Sequence, residues 1–335
     1  MPNMIDPVIR FIISQQEPDG SFPTYESYPV VNPAASWTKL PDPSPFITAN
    51  ILFSLTQLDD SRLNIPVQKA IQSLMVLKEG IGFWRFWPAK SRQHPVPLDM
   101  DDTSVVSFIM ARCGHHFNNK RILLNNKNSD NYFETWLKPR LSNLVTSPLV
   151  TYNFLNDCLQ ALPTKRAGRL AFNDKEPAVA ANVVLYLGEN EETKSCIAQI
   201  ITEVNSLVIP MQYYDDEIVV YYHIARAYIN GVKSFGQLGQ VMAARICARF
   251  NNAVLSDNEM LCAMAANVLL DYNLERALAE RLIASITDGK SYPDKWLTHP
   301  YFCSNDRNFF AGSPALTAAL FVEACSKLNP VNEVK

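Results

Sequence analysis

The chain has 335 residues, 47% of them hydrophobic, enough apolar material for one large core or two ordinary ones without disulfide staples. Its formal net charge of −3, from 30 basic and 33 acidic side chains with no long basic stripe, argues against nucleic acid as a partner. Seven scattered cysteines, Cys113, Cys158, Cys196, Cys247, Cys262, Cys303 and Cys325, form no CxxC pair and read as small core residues in a reducing compartment.

The amino-terminal stretch MPNMIDPVIRFIISQQ carries Asp6 and Arg10 inside its apolar run, so it reads as neither a signal peptide nor an anchor. No later segment reaches about 18 uninterrupted apolar residues. The expectation is a cytoplasmic chain, with peripheral membrane contact left open.

In chain order, apolar periodicity predicts helices over 4–16, 46–58, 65–78, 102–114, 147–161, 177–188, 192–205, 215–230, 235–251, 257–271, 273–286 and 313–327, with shorter pieces near 119–138. In 257–271, Leu261, Met264, Ala265, Val268 and Leu269 recur on one face, and Ser256 or Asp257 is placed to cap the start. In 177–188, Pro177 suits a first turn and Gly188 a stop. Long alternating strands are absent: Ile218 to Tyr222 is β-prone locally, yet its continuation through Ala225 and Tyr228 favours a helix. The proline-rich stretch from Pro18 to Pro45 reads as ordered loop covering one end of the helices. No clean linker divides the chain, so residues 1–335 read as one all-α domain, and helix count alone leaves both a stacked solenoid and a closed ring open.

The densest chemistry is Asp99-Met100-Asp101-Asp102-Thr103, where a loop passes into the 102–114 helix. Three crowded carboxylates in a partly buried site do not all ionise cheaply, so one retains a proton and becomes an acid. Protonating an alkene or epoxide needs such an acid beside an apolar pocket, where aromatic faces stabilise the cation. Just upstream lies Phe83-Trp84-Arg85-Phe86-Trp87-Pro88. The competing reading of the aspartates is helix capping.

The run Leu98 to Ser104 resembles the DxDD motif of squalene–hopene cyclases and class II diterpene cyclases. That resemblance implies Asp101 as general acid, with Asp99 and Asp102 tuning or orienting it. Gln16 to Phe22 resembles a degraded QW-type repeat, and Asp288 to Trp296 followed by His299-Pro300-Tyr301-Phe302 is similar to the carboxy-terminal signature of cyclase β domains. The implied fold is a single α/α toroid of about six helical hairpins. The implied partner is an isoprenoid substrate, with Trp84, Phe86, Trp87, Tyr222 and Trp296 as aromatic lining and Arg85 toward a phosphate. Protonation needs no cofactor, and Mg2+ enters only for a diphosphate substrate. Full cyclases of this class pair two such domains, so a homodimer or a second-domain partner protein belongs to the expectation.

Other candidates read as weaker. Asp215-Asp216-Glu217 invites comparison with the magnesium-binding DDxxD motif, but Val219 holds its last acidic position and capping is favoured. His299 and Cys303 do not reproduce the zinc surroundings of protein prenyltransferases. Lys90, Arg92 and Arg226 join Arg85 as cations for a phosphate, and Tyr213, Tyr214 and Tyr221 join Tyr222 as lining or packing. Of the five histidines, His115 and His116 fall at the far end of the acidic helix, while His94, His223 and His299 reach the acids only through folding.

Overall fold

A computed structural model describes residues 2–28, 37–88, 91, 96–138, 140, 148, 150–152, 155, 174–206, 208–250, 258–287, 296 and 298–328. The helices are α1 (Pro2–Gln15), α2 (Pro45–Leu55), α3 (Asn64–Val76), α4 (Met100–Arg112), α5 (Lys120–Leu124), α6 (Pro177–Leu187), α7 (Lys194–Asn205), α8 (Glu217–Ile229), α9 (Gly239–Phe250), α10 (Glu259–Asp271), α11 (Arg276–Thr287) and α12 (Pro314–Leu328). Most of the predicted 147–161 helix lies outside the described residues.

Burial sorts these helices into two kinds. Every residue of α2 and of α6 is buried, as are Ile218–Ala227 of α8 and Glu259–Leu269 of α10. A helix covered on all sides belongs in the interior. By contrast α7 buries only Cys196, Ile197, Ile200 and Val204, and α11 buries Leu278, Ala279, Leu282, Ile283 and Ile286. That spacing of three and four marks one apolar stripe facing inward and a polar face toward solvent.

The interior helices close on themselves. Helix α2 packs on α4, α4 on α6, α6 on α8, α8 on α10, α10 on α12, and α12 returns to α2. Around this ring, α1 leans on α12, α3 on α2, α7 on α6, α9 on α10, and α11 on both α10 and α12. Closure decides between the solenoid and the ring: the fold is an almost wholly α-helical toroid.

Two expectations need correction. The Pro18–Pro45 stretch is not loop throughout: β1 (Tyr25–Ser27) and β2 (Thr38–Lys39) join β3 (Phe302–Cys303) and β4 (Phe310–Gly312) in an antiparallel sheet ordered β2-β1-β4-β3. Strands of two or three residues are too short to show alternation in a sequence, and this sheet forms because the two ends of the chain meet. The predicted 235–251 helix begins late, since Lys233–Leu238 forms a 3-10 turn before α9.

Candidate active site

Helix α4 starts where it does because the chain is pinned there. The Met100 N–H donates to the Thr135 carbonyl at 2.7 Å and the Leu137 N–H to the Leu98 carbonyl at 3.0 Å. Thr103 fixes the other side, its hydroxyl meeting the Trp84 backbone N–H and carbonyl, each at 3.2 Å. Asp99, in extended conformation, is the N-cap, its Oδ1 accepting the Asp102 N–H at 2.7 Å. Capping and the remaining acidity are thus divided between residues: Asp99 caps, and Asp101 is left to face inward.

All three carboxyls are buried, Asp101 at 6% exposure. They share a pocket with Phe46 from α2, Val179 from α6, Phe86, Trp87, Val96, Thr135, Trp136, Tyr213 and Phe302. The pocket therefore sits where the N-terminal ends of α2, α4 and α6 converge with the loop entering α8. Phe302 stacks on Phe86 at 4.6 Å and on Tyr213 at 5.9 Å, while Trp87 meets Phe86 edge-on at 4.6 Å. The enclosed volume is about 40 Å³, room for one or two waters.

Asp101 receives hydrogen bonds on both oxygens. Asn182 donates to Oδ1 at 2.6 Å, and the Tyr214 hydroxyl donates to Oδ2. The Asn182 NH2 can only donate and so favours the Asp101 carboxylate, whereas the Tyr214 hydroxyl donates to the carboxylate and can accept from the protonated acid. Burial raises the Asp101 pKa to about 6, against the lowering effects of the Tyr214 and Asn182 bonds and the Arg226 charge. Burial also lifts Asp99 to about 7 and, with the charge of Asp99 beside it, Asp102 well above the ordinary carboxyl range. Glu176, the residue before α6, is pushed by burial to about 8 while accepting the Gln212 and Tyr213 N–H groups.

Behind Asp101 a polar chain fills the interior of the ring. Arg226 has no acceptor atom, so its guanidinium must donate to Asn182 Oδ1 and, at 2.6 Å, to Asn50 Oδ1. That fixes the Asn182 amide with its NH2 toward Asp101 and His223 Nδ1. His223 therefore carries its proton on Nε2 and donates to the Tyr301 hydroxyl at 2.9 Å, which in turn donates to Asn50 Oδ1 at 3.0 Å. Burial and the Arg226 charge hold His223 well below its ordinary value, so it is neutral.

Of the residues singled out in the sequence, Asp99, Asp101, Asp102, Phe86 and Trp87 come together at the pocket. Trp84 lies behind α4, its indole donating to the Leu74 carbonyl at 2.9 Å. Arg85 is engaged by Glu79, at 2.6 and 2.9 Å, and by the Val96 carbonyl at 2.9 Å. Tyr222 donates to Glu323 at 2.9 Å, and Trp296 packs edge-on against Phe321 at 5.3 Å; neither is on the pocket wall. Asp216 caps α8 through the Ile218 N–H at 2.9 Å and pairs with Arg249, and Asp215 pairs with Arg307 at 3.0 Å. His299 pairs with Glu259, and His115 and His116 are exposed. His94, Lys90 and Arg92 lie outside the described residues. Among the described residues no group of three or more His, Cys, Asp or Glu side chains is placed to hold a metal ion, and no helix is long and apolar enough to cross a membrane.

Sequence reasoning missed Asn50 and Asn182, which sit mid-helix among apolar neighbours. An asparagine inside a fully buried helix is the signal that marks them, since its amide must find partners in the interior.

No family model matches this sequence, and no curated protein is similar to it. Solved structures do match. The type II terpene cyclase MstE from Scytonema superposes with a TM-score of 0.65 at 13% identity, covering 97% of each chain. A variant of MstE in complex with its substrate, geranylgeranyl dihydroxybenzoate, gives 0.62 at 13% identity, over 98% of this chain and 97% of that one. The ent-copalyl diphosphate synthase from Streptomyces platensis gives 0.53 at 14% identity over 86% of this chain, which spans only 50% of that enzyme's length. The chain therefore has the helical toroid fold seen in type II terpene cyclases.

Proposed function

We propose that the protein is a class II cyclase that acts on a linear isoprenoid by protonation, within a single toroid of about six hairpins spanning 1–335. One observation carries this reading: Asp101 is buried on the wall of an aromatic pocket and is not spent as the helix cap, which is Asp99. Transfer of a proton breaks the Asp101 O–H bond, forms a C–H bond at a terminal alkene or opens an epoxide, and leaves a carbocation among Phe86, Trp87, Trp136 and Phe302. Loss of a proton from the cyclised cation, or capture of water, ends the reaction. The acid itself needs no cofactor. Substrates of the kind MstE binds, a prenyl chain on an aromatic acid, fit the reading, as does a prenyl diphosphate, for which Mg2+ is the companion ion. The end-to-end match to MstE supports one toroid sufficing, and the place of action in this reading is the cytoplasm or a membrane surface.

The pocket's volume of about 40 Å³ favours a second reading, a noncatalytic isoprenoid-binding or assembly subunit that needs another protein or a second copy. The two separate on incubation with linear prenyl diphosphates, prenylated aromatics and terminal epoxides of increasing length, read by mass spectrometry. The cyclase reading expects a cyclic product that Asp101→Asn abolishes. A product that survives the substitution removes Asp101 from the acid role, and substrate-independent copurification of one partner protein supports the second reading.

A further inference from the structure

Arg226 lies wholly inside the ring, 0% exposed, with its guanidinium 4.7 Å above the Phe53 ring and 5.6 Å from that of Tyr222. A buried cation of this kind costs free energy unless it is paired or solvated by dipoles. Its described hydrogen bonds go to two amide oxygens, those of Asn50 and Asn182, and the Asn182 amide then presents its N–H groups to Asp101 and His223. The charge is thereby passed outward as an oriented dipole: the arginine fixes which end of the amide faces the acid, and the amide carries part of the positive potential to Asp101 Oδ1.

We propose that Arg226 is the positioning residue that sets the acid strength of Asp101, acting through the side-chain amide of Asn182. The catalytic consequence rests on the reading of Asp101 as the acid; the electrostatic link does not. The other ionisable groups around Asp101 are Asp99 and Asp102 from its own helix, Glu176 before α6, Tyr214 before α8 and Tyr301, each pushed up in part by the Asp101 charge, and His223 on α8, which meets Asn182. His223 and the tyrosines are neutral near pH 7; burial raises the cost of charging Asp101, and Arg226 is the cation that opposes it, beside the Tyr214 and Asn182 hydrogen bonds.

The sign follows. A nearby cation stabilises the Asp101 anion and so makes the protonated form a stronger acid. Without it Asp101 holds its proton to higher pH but gives it up less readily. A merely structural arginine leaves both properties in place.

The test is a pH titration of the Asp101 carboxyl by isotope-edited infrared spectroscopy on the full chain, isolated by subtracting the Asp101→Asn spectrum. In Arg226→Met the midpoint is expected to rise by about one pH unit or more, and in Arg226→Lys to stay close to the parent. Asn182→Ala, which keeps the arginine, is expected to raise it as well. A folded Arg226→Met with an unmoved midpoint overturns the proposal. If Arg226→Met does not fold, Asn182→Ala carries the test, and an unmoved midpoint there overturns it equally. With a turned-over substrate, the same variants shift the falling limb of the pH–rate profile alkaline by the same interval, lower the acid plateau of kcat and leave KM alone. A shifted titration without any turnover sinks the cyclase reading and keeps the link; turnover without a shift does the reverse.

Discussion

Asp101 carries two observable consequences of one environment. With its pKa raised to about 6, the acid form is populated below pH 6 and lost above it, so the proposed cyclisation is expected to fall as pH rises through about 6. Tyr214→Phe removes a donor that favours the anion, so Asp101 then keeps its proton longer and the limb moves up by roughly one unit; a pH profile of kcat/KM that stays in place counts against the assignment. Asp101, Asp99 near 7 and Glu176 near 8 also bind protons more tightly folded than unfolded. Their contribution to stability is full below the unfolded carboxyl values of about 4 and is lost progressively as pH rises from there through the folded values of about 6, 7 and 8. The melting temperature is expected to fall from about pH 4 to about pH 8, and to fall less in Glu176→Gln. The acidic motif was readable in the sequence because three carboxylates in four residues are rare enough to notice. Asn182, Tyr214 and Arg226 were not readable as its partners, because they reach it across three different elements and nothing local announces that meeting.

Elements show the same division between what periodicity carries and what tertiary contact adds. The 177–188 pattern became α6 almost unchanged and the apolar spacing of 257–271 became α10, but that helix starts at Glu259 with Asn258 as its cap in place of Ser256 or Asp257. The sheet was invisible, although it supplies Phe302 to the pocket wall. Its β4 strand depends on Gly312, which pairs opposite Tyr25 and lies so close to the His299 carbonyl that an added Cβ would fall 2.0 Å from that oxygen. Gly312→Ala must push the strand off the 299–302 segment. We expect a loss of about 2 kcal/mol or more in denaturant unfolding, together with a weakened response of Trp87 fluorescence to substrate. A fully stable Gly312→Ala protein contradicts this packing. The cap at α4 makes a smaller prediction: Asp99→Asn keeps an acceptor for the Asp102 N–H and unfolds near the parent, whereas Asp99→Ala loses about 1 kcal/mol.

At the scale of the whole molecule, what sequence periodicity left open was closure, because each helix reports which face is apolar and never which neighbour covers it. The ring closes where α12 meets α2, and a buried ionic cluster marks the seam. Glu323 of α12 accepts from Ser54 of α2 at 2.6 Å and from Tyr222 of α8 at 2.9 Å, and Lys327 bridges Glu323 at 2.8 Å to Asp271 of α10 at 2.7 Å. Four interior helices thus share one set of charges. Glu323 sits below the ordinary carboxyl range, held there against burial chiefly by Lys327, so its stabilisation is present above an unfolded value of about 4 and is lost on acidification. That sign is opposite to that of Asp99, Asp101 and Glu176, and the two together give a stability maximum at intermediate pH. Glu323→Ala leaves Lys327 without one of its two partners in the interior and is expected to cost about 3 to 5 kcal/mol. It also removes part of the acid-side loss, so the melting temperature of the variant should approach that of the parent as pH falls. Because the cluster joins helices on opposite sides of the ring, unfolding should remain one transition by circular dichroism and by tryptophan fluorescence, at a lower midpoint. A variant that melts in two steps, with the α12 seam first, shows instead that the rest of the toroid stands without its closing helix.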